Sequence, residues 1–453
     1  MALAVESRAY PSVAYSYMRG CCYYRLHRFY DLIYEIFFES EVFSLTETLF
    51  VGIDVSKLSN TVRCMDFFGD SLFLKDFPND RFGAEDIRDS IKNVILHSDF
   101  TSVVIGMEST SIYAEPLASF LQNDSFLLKW NAKVFILNPK QINNFKKSYP
   151  ELPKTDNIDS LIIADFLRFR RPSNEVVFDE KYVALRSLTR ARFQLAQNLS
   201  REKARFLNTL FYKFSNLDSS KVFSNTFGAT SLAVITDFFS VDEINDTPLE
   251  LLTNFISEKG KNHFTDPELV AKELKAAARG SYRLSKVAAD SINQLLAVRI
   301  AGIRSLQQQI TEMDKAISAY MELFPKVLLS IPGIGPVYSA GIIAEIGNIK
   351  RFQNHNSLAK YAGLSWTKYQ SGKFESDNTR LINSGNRYLK YYLLEAANKV
   401  RMHDTTFKNF YASKLKEVPK HQHKRALALT ARKLVRLVYS LLNTNRLYTP
   451  PTK

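Results

Sequence analysis

From Leu49 to Lys57 the chain reads LFVGIDVSK, and its apolar positions alternate with the period of an extended strand. Leu49, Val51, Ile53 and Val55 fall on one face, and Phe50, Gly52, Asp54 and Ser56 on the other. A lone carboxylate therefore sits in a run that otherwise reads as buried. SNTVRCMDFF and DSLFLKDF follow as two more short strands, with Gly69-Asp70 as the hairpin turn between them. The period then lengthens to that of a helix, with Ile87, Ile91, Val94 and Ile95 on one face. SVVIGMES predicts a fourth strand ending at Glu108, SIYAEPLASFLQ a helix and KVFILNP a fifth strand. After Pro153, TDNIDSLIIADFLRF predicts a helix whose buried side carries Ile158, Leu161 and Ile162.

Three hairpin strands followed by alternating helices and strands is the order of an α/β RNase H-like domain, here spanning residues 48–172. A long helical region, 173–324, comes next. In it Leu185, Leu188, Leu195, Leu199, Phe206 and Leu210 recur at near-heptad spacing. So do Ile303, Leu306, Ile310, Met313, Ile317, Tyr320 and Phe324, which suits an antiparallel coiled-coil hairpin. The segment 217–280 between them reads as helical. A mostly α C-terminal domain, 325–445, opens on IPGIGPVYSAGIIAEIG, a helix-hairpin-helix-like element, and closes on the basic amphipathic helix KRALALTARKLVRLVYSLL. Residues 446–453 form a tail. The aromatic-rich stretch 1–47 keeps no clean period; it reads either as a peripheral helix or disordered arm, or as translated leader ahead of the true start.

Charge adds a partner to this picture. Lys and Arg number 60 against 46 Asp and Glu, a net +14 over 453 residues, and such an excess favours a polyanion through counterion release. Cys21, Cys22 and Cys64 make neither a disulfide framework nor a CxxC zinc pair, which fits a reducing cytoplasm. No run of 18 apolar residues predicts a membrane span, and the N-terminus has no compact basic-then-apolar signal.

Candidate chemistry begins with Asp54. Glu108 ends a neighbouring predicted strand, and Asp156 and Asp159 stand three apart on one helix face. Four converging carboxylates repel one another, so divalent cations are needed to hold them, and Mg²⁺ is the natural hard-oxygen guest. Taken singly, each acid reads as well as a cap or a helix-dipole complement. The joint order favours metal.

Gly333 and Gly335 in IPGIGP expose backbone N–H groups before a helix N-terminus, which suits a DNA phosphate or a plain tight connector. Farther on, Ser371-Gly372 and Ser384-Gly385 lie among Lys368, Lys373, Arg380, Asn386, Arg387 and Lys390, interleaved with tyrosines. A serine in a basic loop can attack a phosphodiester when its hydroxyl is activated, but His403 and His421 are isolated and form no triad. On these residues alone neither serine is assigned as catalytic.

In order and spacing, GIDVSK, GMESTSIY and KTDNIDSLIIADFL resemble the N-terminal domain of the DEDD transposases of the insertion sequence one-ten family, which includes Piv- and MooV-type invertases. IPGIGPVYSAGIIAEIGNIKRF, the YAGL from Tyr361, QSGK and GNRYLK resemble its C-terminal domain, so the likeness spans about residues 48 to 445. The resemblance implies an RNase H-like (RuvC-like) domain binding Mg²⁺ through Asp54, Glu108, Asp156 and Asp159. It implies a serine from the C-terminal domain that becomes covalently joined to DNA, and strand transfer without free double-strand breaks. It further implies an element-encoded guide RNA and an active site shared between subunits of a homo-oligomer, dimer or tetramer. By position the QSG serine is Ser371. Ser384 is its rival, because Ile382-Asn383-Ser384 departs from the hydroxyl residue and Lys that many members carry before Gly-Asn. Two other readings stay open: a RuvC-like junction nuclease using activated water, and a non-catalytic nucleic-acid binder.

Overall fold

The alternation read at Leu49–Val55 is the organising feature of a computed structural model of the chain. It describes residues 46–108, 112–149, 155–169 and 179–450, apart from 368–369, 372–373, 376–380 and 383. The stretch 1–45 lies outside the described residues. The chain divides into two units, Met1–Phe178 and Asp179–Lys453.

The first unit holds a five-stranded mixed sheet of β1 (Thr48–Val55), β2 (Ser59–Met65), β3 (Ser71–Pro78), β4 (Ser102–Glu108) and β5 (Lys133–Leu137), in the order β3-β2-β1-β4-β5. β1 to β3 run as antiparallel hairpins, whereas β4 pairs parallel with both β1 and β5. Five helices join them: α1 (Arg81–Leu96), α2 (Ala114–Asn123), α3 (Ser125–Lys129), α4 (Pro139–Lys146) and α5 (Asp156–Phe169). Leu49, Val51, Ile53 and Val55 pack with Ile87, Ile91 and Ile95 of α1 and Leu117 and Leu121 of α2. Phe50 packs on the opposite face with α4 and α5. Each expected strand and helix of this region forms.

One expectation needed correcting. The buried side of α5 is Ile162, Ile163, Phe166 and Leu167 with Ala164, while Ile158 and Leu161 are only partly buried. The cause is close docking. A Cβ on Gly52 would lie 2.2 Å from the Ser160 carbonyl and 2.4 Å from the Ala164 nitrogen, so the missing side chain lets α5 rest on β1. Asp165, Arg168 and the Phe67 carbonyl then tie α5 to the β2–β3 hairpin.

The second unit is built on α6 (Glu180–Lys213) and α11 (Lys286–Tyr320). Arg192 pairs with Asp314, Arg299 with Glu202, and Lys213 with Asn293; the order reverses along the partner, so the helices are antiparallel. Between them α7 (Ala229–Asp237), α8 (Val241–Asp246), α9 (Leu249–Lys259) and α10 (Pro267–Arg279) close a core around Phe206, Leu210, Leu296 and Ile300. At the other end Leu185 and Ile317 join a second core with α12 (Pro336–Ile346), α13 (His355–Tyr361), α14 (Arg387–His403), α15 (Thr405–Lys416) and α16 (Gln422–Thr444). The first half of the expected helix-hairpin-helix element is a single 3₁₀ segment, Lys326–Ser330. Among the described residues, no helix is long and apolar enough to cross a membrane.

Gly52→Ala should lower unfolding stability by about 3 kcal/mol, the upper range for overpacking against backbone, as read by urea denaturation. Gly302→Ala, which meets nothing within 4 Å, is the helix-interior control and should not destabilise.

Candidate active site

The face of β1 that carries Phe50 and Gly52 also carries Asp54, and β4 presents Val104, Gly106 and Glu108 in the same way. The strands are parallel neighbours with Ile53 opposite Met107, so Asp54 and Glu108 leave the sheet together at its C-terminal edge. Asp156 and Asp159 occupy the first turn of α5, where the helix dipole favours negative charge. The close approach at Gly52 sets that turn over the strand ends. All four acids of the first constellation are thereby gathered.

The gathering leaves an electrostatic trace. The Asp54 carboxyl is pushed up to about 6, first by burial and then by Asp159, Asp156 and Glu108, against a hydrogen bond from the Val55 amide. Glu108 is also raised, by burial and then Asp159, while Lys146 pulls it down. Lys146 ends α4, and its Nζ lies 2.6 Å from Asp159 Oδ1, with the two side chains 20% and 24% exposed. An ammonium thus already fills a cation position in an all-oxygen, hard donor set of the kind that suits Mg²⁺. Among the described residues, no three acidic, histidine or cysteine side chains stand close enough to hold one ion together. The donor chemistry fits a divalent ion; closing a shell requires these carboxylates to draw nearer than they stand.

The second constellation lies in the other unit, on an arm that leaves α13 and returns at α14. Its base is closed by Ile382 N–H to the Ser365 carbonyl at 2.9 Å, a Trp366–Leu381 bridge, and Asn386 N–H to the Tyr361 carbonyl at 2.7 Å. Gly385, at φ +132, sits so near Gly363 that a Cβ would fall 2.5 Å from the Gly363 nitrogen. Within the arm Gln370–Ser371 pairs antiparallel with Phe374–Glu375, placing Ser371 opposite Phe374. Ser384 is exposed beside the base, outside this ribbon. Lys368, Lys373 and Arg380 lie outside the described residues.

Asn386 has a different place from the one its basic neighbours suggest. Its Oδ1 caps α14 by accepting the Tyr388 and Leu389 amides, both at 3.0 Å. Its Nδ2 donates to Glu345 Oε2 at 2.6 Å and to the Tyr361 hydroxyl at 3.1 Å. Every polar position of the side chain is engaged inside the protein, so it anchors the arm. Glu345, only 1% exposed, also receives Arg190 at 2.7 and 3.0 Å. Arg387 is exposed and lies over the Tyr388 ring at 4.8 Å. Lys390 is partly buried, and that burial lowers its affinity for a proton. Gly333, at φ +90, turns the chain against Lys399 and His403, and Gly335 opens α12 just before Pro336.

Sequence reasoning missed Lys146 and Glu345. Nothing in NNFKKSY distinguishes Lys146, because its partner is found only in the fold. Glu345 did carry a signal, a lone acid in the apolar run GIIAEI, the same kind that marked Asp54.

Because Asp54 stands above the ordinary 3.8, its charged form is disfavoured by folding. Its contribution to metal-free stability is full below about pH 4 and is lost as pH rises through 6. With chelator present, Asp54→Asn should raise stability at pH 8 by about 1 kcal/mol after discount for solvent screening, and not at pH 4, as read by thermal unfolding. Glu345→Ala, which leaves Arg190 and Asn386 without their shared acceptor, should cost about 3 kcal/mol on the same assay, and Glu345→Gln less.

Residues 51–214 match a family model described as a DEDD transposase, and residues 325–412 one described as the transposase IS116/IS110/IS902 family. The insertion element IS116 44.8 kDa protein of Streptomyces clavuligerus is 24% identical over 416 residues, covering 89% of this chain and 97% of its own length. The insertion element IS110 43.6 kDa protein of Streptomyces coelicolor is 25% identical over 150 residues, 33% of this chain and 36% of that protein. The pilin gene-inverting protein of Moraxella bovis is 27% identical over 150 residues, 32% of this chain and 46% of that protein. With both family models in chain order over more than half of its residues, the protein belongs to the IS110 family of insertion-sequence transposases and is a DNA transposase and recombinase.

Proposed function

We propose that this transposase cuts and rejoins DNA through a serine–DNA covalent intermediate, with Ser371 as nucleophile and an RNase H-like Mg²⁺ site at Asp54, Glu108, Asp156 and Asp159. The observation that carries the reading is the convergence of these acids at the ends of two adjacent parallel strands, recorded in the raised Asp54 carboxyl. When bound, Mg²⁺ would offset their repulsion, favour an ionised attacking hydroxyl and steady the charge of a phosphoryl transition state.

The chain's own groups do the rest. Ser371 Oγ attacks the phosphorus and loses its proton; the bond to the leaving deoxyribose oxygen breaks, and that oxygen gains one. The free hydroxyl of an exchanging strand then attacks the phosphoserine phosphorus and loses its proton, while the P–Oγ bond breaks and Oγ regains one. Placing the serine on a short antiparallel ribbon above a glycine-tight base supports this role. Lys390, a half-buried cation beside that base, offers charge to a phosphate, and the amides around Gly333 and Gly335 offer neutral donors. Lys368, Lys373, Arg380 and Arg387 supply further positive charge along the same stretch of sequence.

DNA is the substrate, and the net +14 accommodates a guide RNA encoded by the element as a second polyanion. Assembly into a homo-oligomer fits the middle of the α6–α11 hairpin, where Leu195, Leu306, Ile310 and Met313 are only partly buried.

Covalent trapping tests the reading. Protein, Mg²⁺, labelled element-end DNA and RNA transcribed from the gene's flanks should give a shifted protein–DNA band on a denaturing gel. Ser371→Ala and Glu108→Ala should abolish the band, and Ser384→Ala should retain it. Cleaved DNA without an adduct in any lane would instead favour a junction nuclease using water.

A further inference from the structure

Lys146 pairs directly with one of the four acids, and nothing in the transposition chemistry above uses it. Its geometry is built. Asn138 caps α4 by accepting the Lys140 amide at 2.9 Å, and Ile142 of α4 packs into the core beneath α5. Phe145 meets Phe166 of α5 edge-on at 5.5 Å between ring centres. Lys146 is thus carried on a helix locked to the one that bears Asp159, and it stands at the helix C-terminus, where a cation is favoured. The 2.6 Å contact to Asp159 Oδ1 is mostly sheltered from solvent. The neighbouring Lys147, in contrast, is exposed.

We propose that Lys146 is a built-in counter-ion of the carboxylate cluster: it holds Asp159 beside Glu108 in the metal-free protein and yields that oxygen when a divalent ion enters. Several features fit this exchange. Asp159 cannot offer the same lone pair to the ammonium and to a metal. Among the described residues no three carboxylates stand close enough to share an ion, so metal entry must move at least one of them. Lys146 is then a positioning residue. It lets the site fold without its metal, and it makes metal entry a replacement of one cation by another. The proposal rests on the metal-site reading given above.

Mg²⁺ titration of the chelator-treated full-length chain, followed by thermal unfolding, tests it without any DNA chemistry. Lys146→Met should start from a lower midpoint, because the acids lose their partner. It should reach half of its Mg²⁺-induced rise at about a tenfold lower Mg²⁺ concentration, since no ammonium need be displaced, equivalent to ~1.4 kcal/mol. Lys146→Arg, which keeps the charge, should restore the wild-type midpoint, and Lys147→Met should not differ from wild type. If Lys146→Met does not fold, Lys146→Gln should move the half-saturation in the same direction. Asp54→Asn separates the two ideas. Flat Asp54→Asn with wild-type half-saturation in Lys146→Met would overturn the counter-ion role alone. A wild-type Mg²⁺ response in Asp54→Asn would overturn the metal site, and the counter-ion with it.

Discussion

The closeness of α5 to β1 is the constraint on which the first unit depends. Gly52 has no side chain, so the backbone of Ser160 and Ala164 settles onto the strand. Gly106 next door leaves room for the Leu167 side chain of α5, whose Cδ1 a Cβ would meet at 2.8 Å. Two glycines on one face of two parallel strands thus lower a helix onto the sheet, and the first turn of that helix brings its aspartates over Asp54 and Glu108. A bulkier residue at Gly52 would meet backbone, lift the helix and open the cluster. Packing and chemistry are here one decision. The contact that buries Ile162, Ile163 and Phe166 also brings like charges together, and the Asp54 carboxyl is raised first by its own burial and then by those neighbours.

The second unit manages charge differently. Glu345 lies in the apolar face of α12, yet it is held by a two-pronged Arg190 and by Asn386, so its charge is balanced within the core. This pair couples α6, α12 and the returning limb of the arm. The arm's geometry is inherited from the base, from the Gly363–Gly385 contact and from the cap on α14.

Much of this was legible in the chain. The five strands and the helix of Ile87, Ile91 and Ile95 were readable because period and packing agree: alternate residues of β1 enter one core and Phe50 the other, and one face of the helix is buried. Asp54 and Glu108 were readable as exceptions to that alternation. The buried side of α5 was not, because the helix is enclosed nearly all round from Ile162 to Leu167, and an enclosed helix has no contrasting polar face to betray its orientation. Asn386 was misleading for a local reason. It stands between a Ser-Gly pair and two cations, and only the tertiary partners Glu345 and Tyr361 show that its amide faces inward. Lys146 is the same problem in reverse, since 13 residues of sequence separate it from the acid it touches.

The hairpin of α6 and α11 is tied at both ends and thinly packed between. Leu185 belongs to one core and Phe206 to the other, a separation of ~32 Å at the rise of an α-helix. The paired helices therefore act as a spacer within this unit, and one turn added to both would carry the two cores ~5 Å farther apart without altering the packing inside either.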